Sequence, residues 1–184
     1  DKVKNKINEL LNTTKYGFYT NKLNLVSHSM GGLAAREYLT NPKYSSSYVD
    51  KLILIGVPNL GSPLANQSNN ISKTQLTSWL IVMPHAYIGV SLRADLVVSV
   101  DTFLNIDLNG EAVKDMAEES NFLKNLNSRS QPLDVNFCGI FGIKGTPLNW
   151  NISDDYYGGD GVVTKTSQLG EGIISFKESP EEIE

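Results

Sequence analysis

The chain has 184 residues, 40% hydrophobic and 20% charged, with 16 basic against 20 acidic residues and a net charge of −4. That balance suits one globular domain with a sizeable core, and it lacks the basic clusters on which nucleic-acid binding depends, so no nucleic-acid partner is expected. A single cysteine, Cys138, rules out an internal disulfide, and its apolar surroundings read as core filling.

Residues 2–12 place Val3, Ile7, Leu10 and Leu11 on one helical face, and "DKVKNKINELL" is too charged to be a signal peptide. Residues 23–27 form a short apolar strand, followed by a helix over 31–41 that Pro42 stops. "KLILIGVP", 51–58, is a continuous apolar run, the pattern of a strand buried in a parallel sheet. The stretch 59–110 interrupts the alternation with a polar loop, "NQSNNISKTQ", and two apolar groups around Trp79–Met83 and Leu96–Val100. It reads either as a cap over a site, spanning about 64–110, or as a pair of helices packed on the sheet. Its most apolar part, "WLIVMPHAYIGV", is broken by Pro84 and too short to span a membrane. Helical spacing returns over 112–126 through Val113, Met116, Ala117, Leu123 and Leu126. Buried strands follow at "VNFCGIFGI", 135–143, and "GIISFKE", 172–178. Strands alternating with helices predict an α/β fold with a mostly parallel sheet and flanking helices. The N-x-[ST] sequons at Asn12, Asn66, Asn70 and Asn151 are what chance produces in a chain so rich in Asn and Ser.

The stretch "NLVSHSMGGLAAREYL", 24–39, runs from strand to helix with no linker. Such a turn exposes a nucleophile on strained backbone, with small residues two positions to either side. Ser29 meets that rule, flanked by Ser27 and Gly31, whereas Ser27 would be flanked by the bulky Leu25.

"SHSMGG" resembles the G-x-S-x-G elbow of α/β-hydrolases, in the "GHSMGG" form of lipases and esterases, with Ser27 in place of the first glycine. Three further stretches carry the resemblance in the same order. "GVPNLGSPLA", 56–65, is similar to the "TPHxGSPLA" run of bacterial lipases and of PGAP-type, GPI-inositol-deacylase-like hydrolases. "VKDMAEESNFLKNLN", 113–127, is similar to their "DMxPxSxFLxxLN" segment, and "YYGGDGVVTKTSQLG", 156–170, to their "NDGVVPxxSA" loop. The resemblance implies an α/β-hydrolase fold. It also implies a Ser29 nucleophile, Asp160 as the acid that orients a histidine, and the backbone N–H of Met30 as an oxyanion donor. Gly158, Gly159 and Gly161 give the Asp160 loop backbone freedom; Asp154 and Asp155 are rivals without matching surroundings.

Neither histidine suits the role of base. His28 adjoins Ser29 and would point away from it into the packing of the turn; His85 precedes Asp160, against the hydrolase order Ser, Asp, His. With no histidine after Asp160 and no counterpart of the strands that precede an elbow, the resemblance implies a fragment incomplete at both ends. Residues 1–184 alone should then lack activity. The expected function is cleavage of carboxylic esters through an acyl-enzyme on Ser29, acting on an ester or lipid. Acyl transfer at the same site, or a non-catalytic module that binds lipid or protein, are the alternatives. No cofactor and no metal are implied. A secreted or extracytoplasmic address is compatible with the resemblance, and the residues themselves are silent on it.

Overall fold

A computed structural model of the chain describes residues 2–11, 21–66, 110–143, 159–160 and 163–183. Helix α1 (Lys2–Leu11) comes first, then strand β1 (Leu23–His28), helix α2 (Met30–Thr40), a short 3₁₀ turn (Ser46–Tyr48) and strand β2 (Val49–Ile55). Three short helices follow, α3 (Pro63–Asn66), α4 (Glu111–Asp115) and α5 (Asn121–Asn127), then β3 (Asn136–Gly142), α6 (Lys165–Leu169) and β4 (Glu181–Ile183). The cap expected over about 64–110 falls almost wholly outside the described residues, which resume at Gly110.

The strands form one sheet in the order β1-β2-β3-β4, and every pairing is parallel. Register aligns Leu25 with Leu52 and Phe137, and Ser27 with Leu54 and Gly139. Period-two alternation therefore sends Leu52, Leu54, Phe137 and Phe141 to one face. There Leu52, Leu54 and Phe137 join Ile7 of α1, Leu33, Ala35, Tyr38 and Leu39 of α2, and Leu123 and Leu126 of α5 in the core. Arg129, just past α5, ties this layer together through an ion pair to Glu37 of α2, 2.6 Å.

The other face is less covered among the described residues. Val26 is 66% exposed, and Ile53, Ile55, Cys138 and Ile140 are half-buried. Cys138 is thus not the core filler expected from its apolar surroundings, because the pleat turns its neighbours Phe137 and Gly139 inward in its place.

Two elements differ from the sequence expectation. The helix expected over 112–126 is split into α4 and α5. Glu119 takes a left-handed φ of 62°, and Ser120 caps α5, its Oγ accepting from the Leu123 N–H at 3.2 Å while donating to the Asp115 carbonyl at 2.7 Å. A serine that can satisfy two backbone groups at once favours a break over a continuous helix. The last strand is β4, not 172–178. Gly170 and Gly172, with φ of 58° and 80°, turn the chain, and the segment after them lays Ile174 and Phe176 on the core face. A Cβ at Gly139 would stand 2.9 Å from the Phe176 ring, so β3 admits that ring only because residue 139 is glycine. Helix α2 ends where Pro42 requires, with Asn41 held extended at φ −80° and ψ 124°.

Candidate active site

Ser29 sits between the end of β1 and the start of α2 with φ 51° and ψ −132°. For a residue with a Cβ this is a strained conformation, worth on the order of 1–3 kcal/mol, and it persists only where neighbours hold it. They do so from both sides. The Ser29 N–H donates to the Ile55 carbonyl at 3.0 Å, extending the β1–β2 ladder past the strand, and its own carbonyl accepts from Gly32 N–H at 2.9 Å, starting α2. Met30 is the first residue of that helix, where backbone N–H groups have no partner within the helix, and its side chain is 46% exposed.

The tight approach in this turn does not fall where the sequence suggested. A Cβ on Gly31 would meet nothing within 4 Å outside its own helix, whereas one on Gly32 would lie 2.2 Å from the Val57 side chain. Gly31 faces outward, and Gly32 is the point at which α2 passes the end of β2. His28 is exposed and does not pack into the turn, because the alternation of β1 puts it on the same face as Asn24 and Val26. His85, Asp154 and Asp155 lie outside the described residues.

Asp160 lies at the carboxyl ends of β2 and β3. Its Oδ1 accepts from Val163 N–H at 2.8 Å, and its own N–H donates to the Val163 carbonyl at 3.3 Å. Two glycines make room for it. A Cβ on Gly142 would stand 2.9 Å from the Asp160 Cβ, and one on Gly56, whose φ is 54°, 3.2 Å from Oδ2. Gly159 is equally constrained, since a Cβ there would come 2.1 Å from the Val163 carbonyl oxygen. Ser29 and Asp160 are thus carried to the same edge of the sheet, Ser29 at the end of β1 and Asp160 over the ends of β2 and β3.

Beneath this edge runs a buried polar network that sequence reasoning did not find. Asn59, fully buried, accepts from Arg36 Nη1 at 3.1 Å and donates to the Gln168 carbonyl at 2.7 Å; its own carbonyl accepts from Asn127 Nδ2 at 2.9 Å. Arg36 Nη2 donates to Asn127 Oδ1 at 2.8 Å. Ser167 Oγ donates to the Gly61 carbonyl at 2.6 Å and accepts from Leu60 N–H at 3.0 Å. Burial pulls the Arg36 pKa down to about 10, so the guanidinium stays charged at neutral pH, and the amide oxygens of Asn59 and Asn127 hold it. The one signal in the sequence was an arginine inside the apolar stripe of α2, three residues from both Leu33 and Leu39.

Among the described residues no group of three or more His, Cys, Asp or Glu side chains could hold a metal ion, and no helix is long and apolar enough to cross a membrane.

Solved structures share this arrangement of strands and helices. The mature form of lipase BlEst2 from Bacillus licheniformis superposes with a TM-score of 0.60 at 16% identity, over 98% of this chain and 63% of that one. Lipase 1 from Pelosinus fermentans gives 0.55 at 18% identity, over 94% and 65%. EstA from Clostridium botulinum gives 0.52 at 16% identity, over 91% and 57%. The chain therefore spans less than two thirds of the length of these structures, and at such identities the likeness speaks for the fold, which is that of the α/β-hydrolases. No curated protein sequence matches. One family model does, over residues 4–142, a span that holds the Ser29 turn and β1 to β3 and stops before Asp160. The chain belongs to that family, described as Domain of unknown function (DUF7379).

Proposed function

We propose that this chain carries the nucleophile and the acid of a serine hydrolase that cleaves carboxylic esters, of lipase or esterase type. The observation that carries the reading is the Ser29 backbone: a non-glycine residue at φ 51°, held between the last ladder bond of β1 and the first turn of α2. Strain of this kind is retained where it aims a side chain. The chemistry follows from the neighbours. Ser29 Oγ attacks the ester carbonyl and passes its proton to an imidazole, while the Met30 N–H, unsatisfied by the helix it begins, donates to the oxyanion. Collapse of the tetrahedral adduct expels the alcohol, which takes up that proton, and leaves an acyl group on Ser29; water then repeats the sequence and releases the carboxylic acid.

Asp160 orients the imidazole and stabilises its charged form. Adjacent strands lie about 4.8 Å apart. Asp160, over the ends of β2 and β3, stands between one and two strand spacings from the strand that leads into Ser29, an interval suited to an imidazole hydrogen-bonded on both sides. His28 is not that base, since its side chain leaves β1 on the exposed face. The lipases among the structural neighbours support an ester or lipid substrate for this chain too.

The test is hydrolysis of p-nitrophenyl esters of short and long acyl chains by the full-length protein and by Ser29→Ala. The proposal expects turnover that Ser29→Ala lowers by about 10⁴-fold or more. Equal rates in the two proteins would refute it.

A further inference from the structure

We infer that Gln168 is a positioning residue for the Asp160 carboxylate, an inference that rests on the hydrolase reading above. Gln168 is 4% exposed, and its carboxamide is used on both sides. Oε1 accepts from Gly142 N–H at 3.0 Å; Nε2 donates to the Gly142 carbonyl at 3.2 Å and to the Val163 carbonyl at 3.0 Å. Val163 in turn exchanges hydrogen bonds with Asp160, its N–H reaching Oδ1. Two hydrogen bonds therefore separate the Gln168 amide from the carboxylate, and the same amide grips the end of β3. The backbone that carries this side chain is itself anchored: the Gln168 carbonyl accepts from Asn59 Nδ2, and the Gln168 N–H donates to the Thr164 carbonyl. Gln168 Oε1 and Asp160 Oδ2 also converge on one point, 4.0 and 3.2 Å from where a Gly56 Cβ would be.

The chemistry explains why an amide stands here. Both the N–H and the C=O of Gly142 need partners at the end of the strand, which takes a side chain that donates and accepts at once. A glutamate could accept but would set a second negative charge beside Asp160, and an apolar side chain would leave Gly142 and Val163 without these partners. Glutamine closes both bonds and leaves the charge of the acid unchanged. A carboxylate displaced by even about 1 Å orients a base poorly, at a cost of the order of 10²-fold in rate.

The experiment is steady-state kinetics on a short soluble ester with the full-length protein and its Gln168→Met, Asp160→Asn and double variants. The expected result for Gln168→Met is a fall in kcat of about 10- to 100-fold with KM within about twofold, and a matching fall in the rate at which a fluorophosphonate labels Ser29. Because Gln168 acts through Asp160, the double variant should be within about twofold of Asp160→Asn alone. Unchanged kcat in Gln168→Met, or losses that multiply in the double variant, would overturn the inference while leaving the hydrolase reading intact. Full activity in Asp160→Asn would instead remove the reading on which it rests. If Gln168→Met does not fold, NMR of the wild-type chain decides. The Gln168 Nε2 resonances should shift as Asp160 titrates and stay fixed in Asp160→Asn, and a flat response in the wild type contradicts the inference.

Discussion

The Ser29 turn and the Asp160 corner lie on one sheet edge and are built in opposite ways. The turn is local: residues 23–40 supply strand, strained serine and helix in one unbroken run, and at the turn itself the Ile55 carbonyl and the Val57 side chain packed on Gly32 support it from outside that run. The Asp160 corner is assembled from Gly56, Asn59, Gly142, Asp160, Val163 and Gln168, and the bond from Asn59 to Gln168 joins residues 109 positions apart. Backbone strain fixes the first, and buried amide hydrogen bonds fix the second. A nucleophile can thus be aimed by its own segment, whereas a carboxylate on a loop has to be held by partners contributed from elsewhere in the chain.

The contrast can be broken first at the acid. Asp160→Asn keeps the shape of the side chain and removes its charge, so kcat should fall by about 10³- to 10⁴-fold with the fold intact by circular dichroism. A loss under tenfold would mean that the corner does not serve the turn. Next comes the network beneath. Asn59→Ala strands the buried Arg36 Nη1 and the Gln168 carbonyl, and chemical denaturation should register a loss of about 2–4 kcal/mol. A change below about 0.5 kcal/mol would show that water replaces these bonds.

The crowding in the turn is tested by a pair of substitutions. Gly32→Ala forces a Cβ against Val57 and should cost about 1–3 kcal/mol, partly recovered by Val57→Ala. Gly31→Ala, with open space beside it, should be neutral or stabilise by up to about 1 kcal/mol. The reverse order would return the close approach to Gly31. Smallest of all, His28→Asn should change kcat by less than about threefold, since its side chain is exposed on the face away from the core. A loss comparable to that of Asp160→Asn would make His28 the base.

How much of this was legible follows the same division. The Ser29 turn could be read because spacing and small residues encode it within a few positions, and β1, α2, β2 and β3 followed from apolar runs bounded by turn residues. The break between α4 and α5 escaped because hydrophobic spacing passes smoothly over Glu119 and Ser120, and only the competition of the Ser120 hydroxyl for backbone groups ends the helix. The last strand was misplaced because the apolar residues Ile174 and Phe176 mark packing on a face, whereas β4, with the sequence EEI, is exposed along its length. The roles of Asn59, Asn127 and Gln168 could not be read at all. Each is an ordinary polar residue by composition and becomes a buried partner only when distant segments meet.

The central claim is that the strained Ser29 is an activated nucleophile. Its most direct measurement is the site of reaction of an alkyl fluorophosphonate with the full-length protein at neutral pH, mapped by peptide mass spectrometry. The account predicts a single adduct on Ser29, absent from Ser29→Ala and formed more slowly in Asp160→Asn. An unlabelled Ser29 in folded protein, or an adduct on Ser27 in its place, would contradict it.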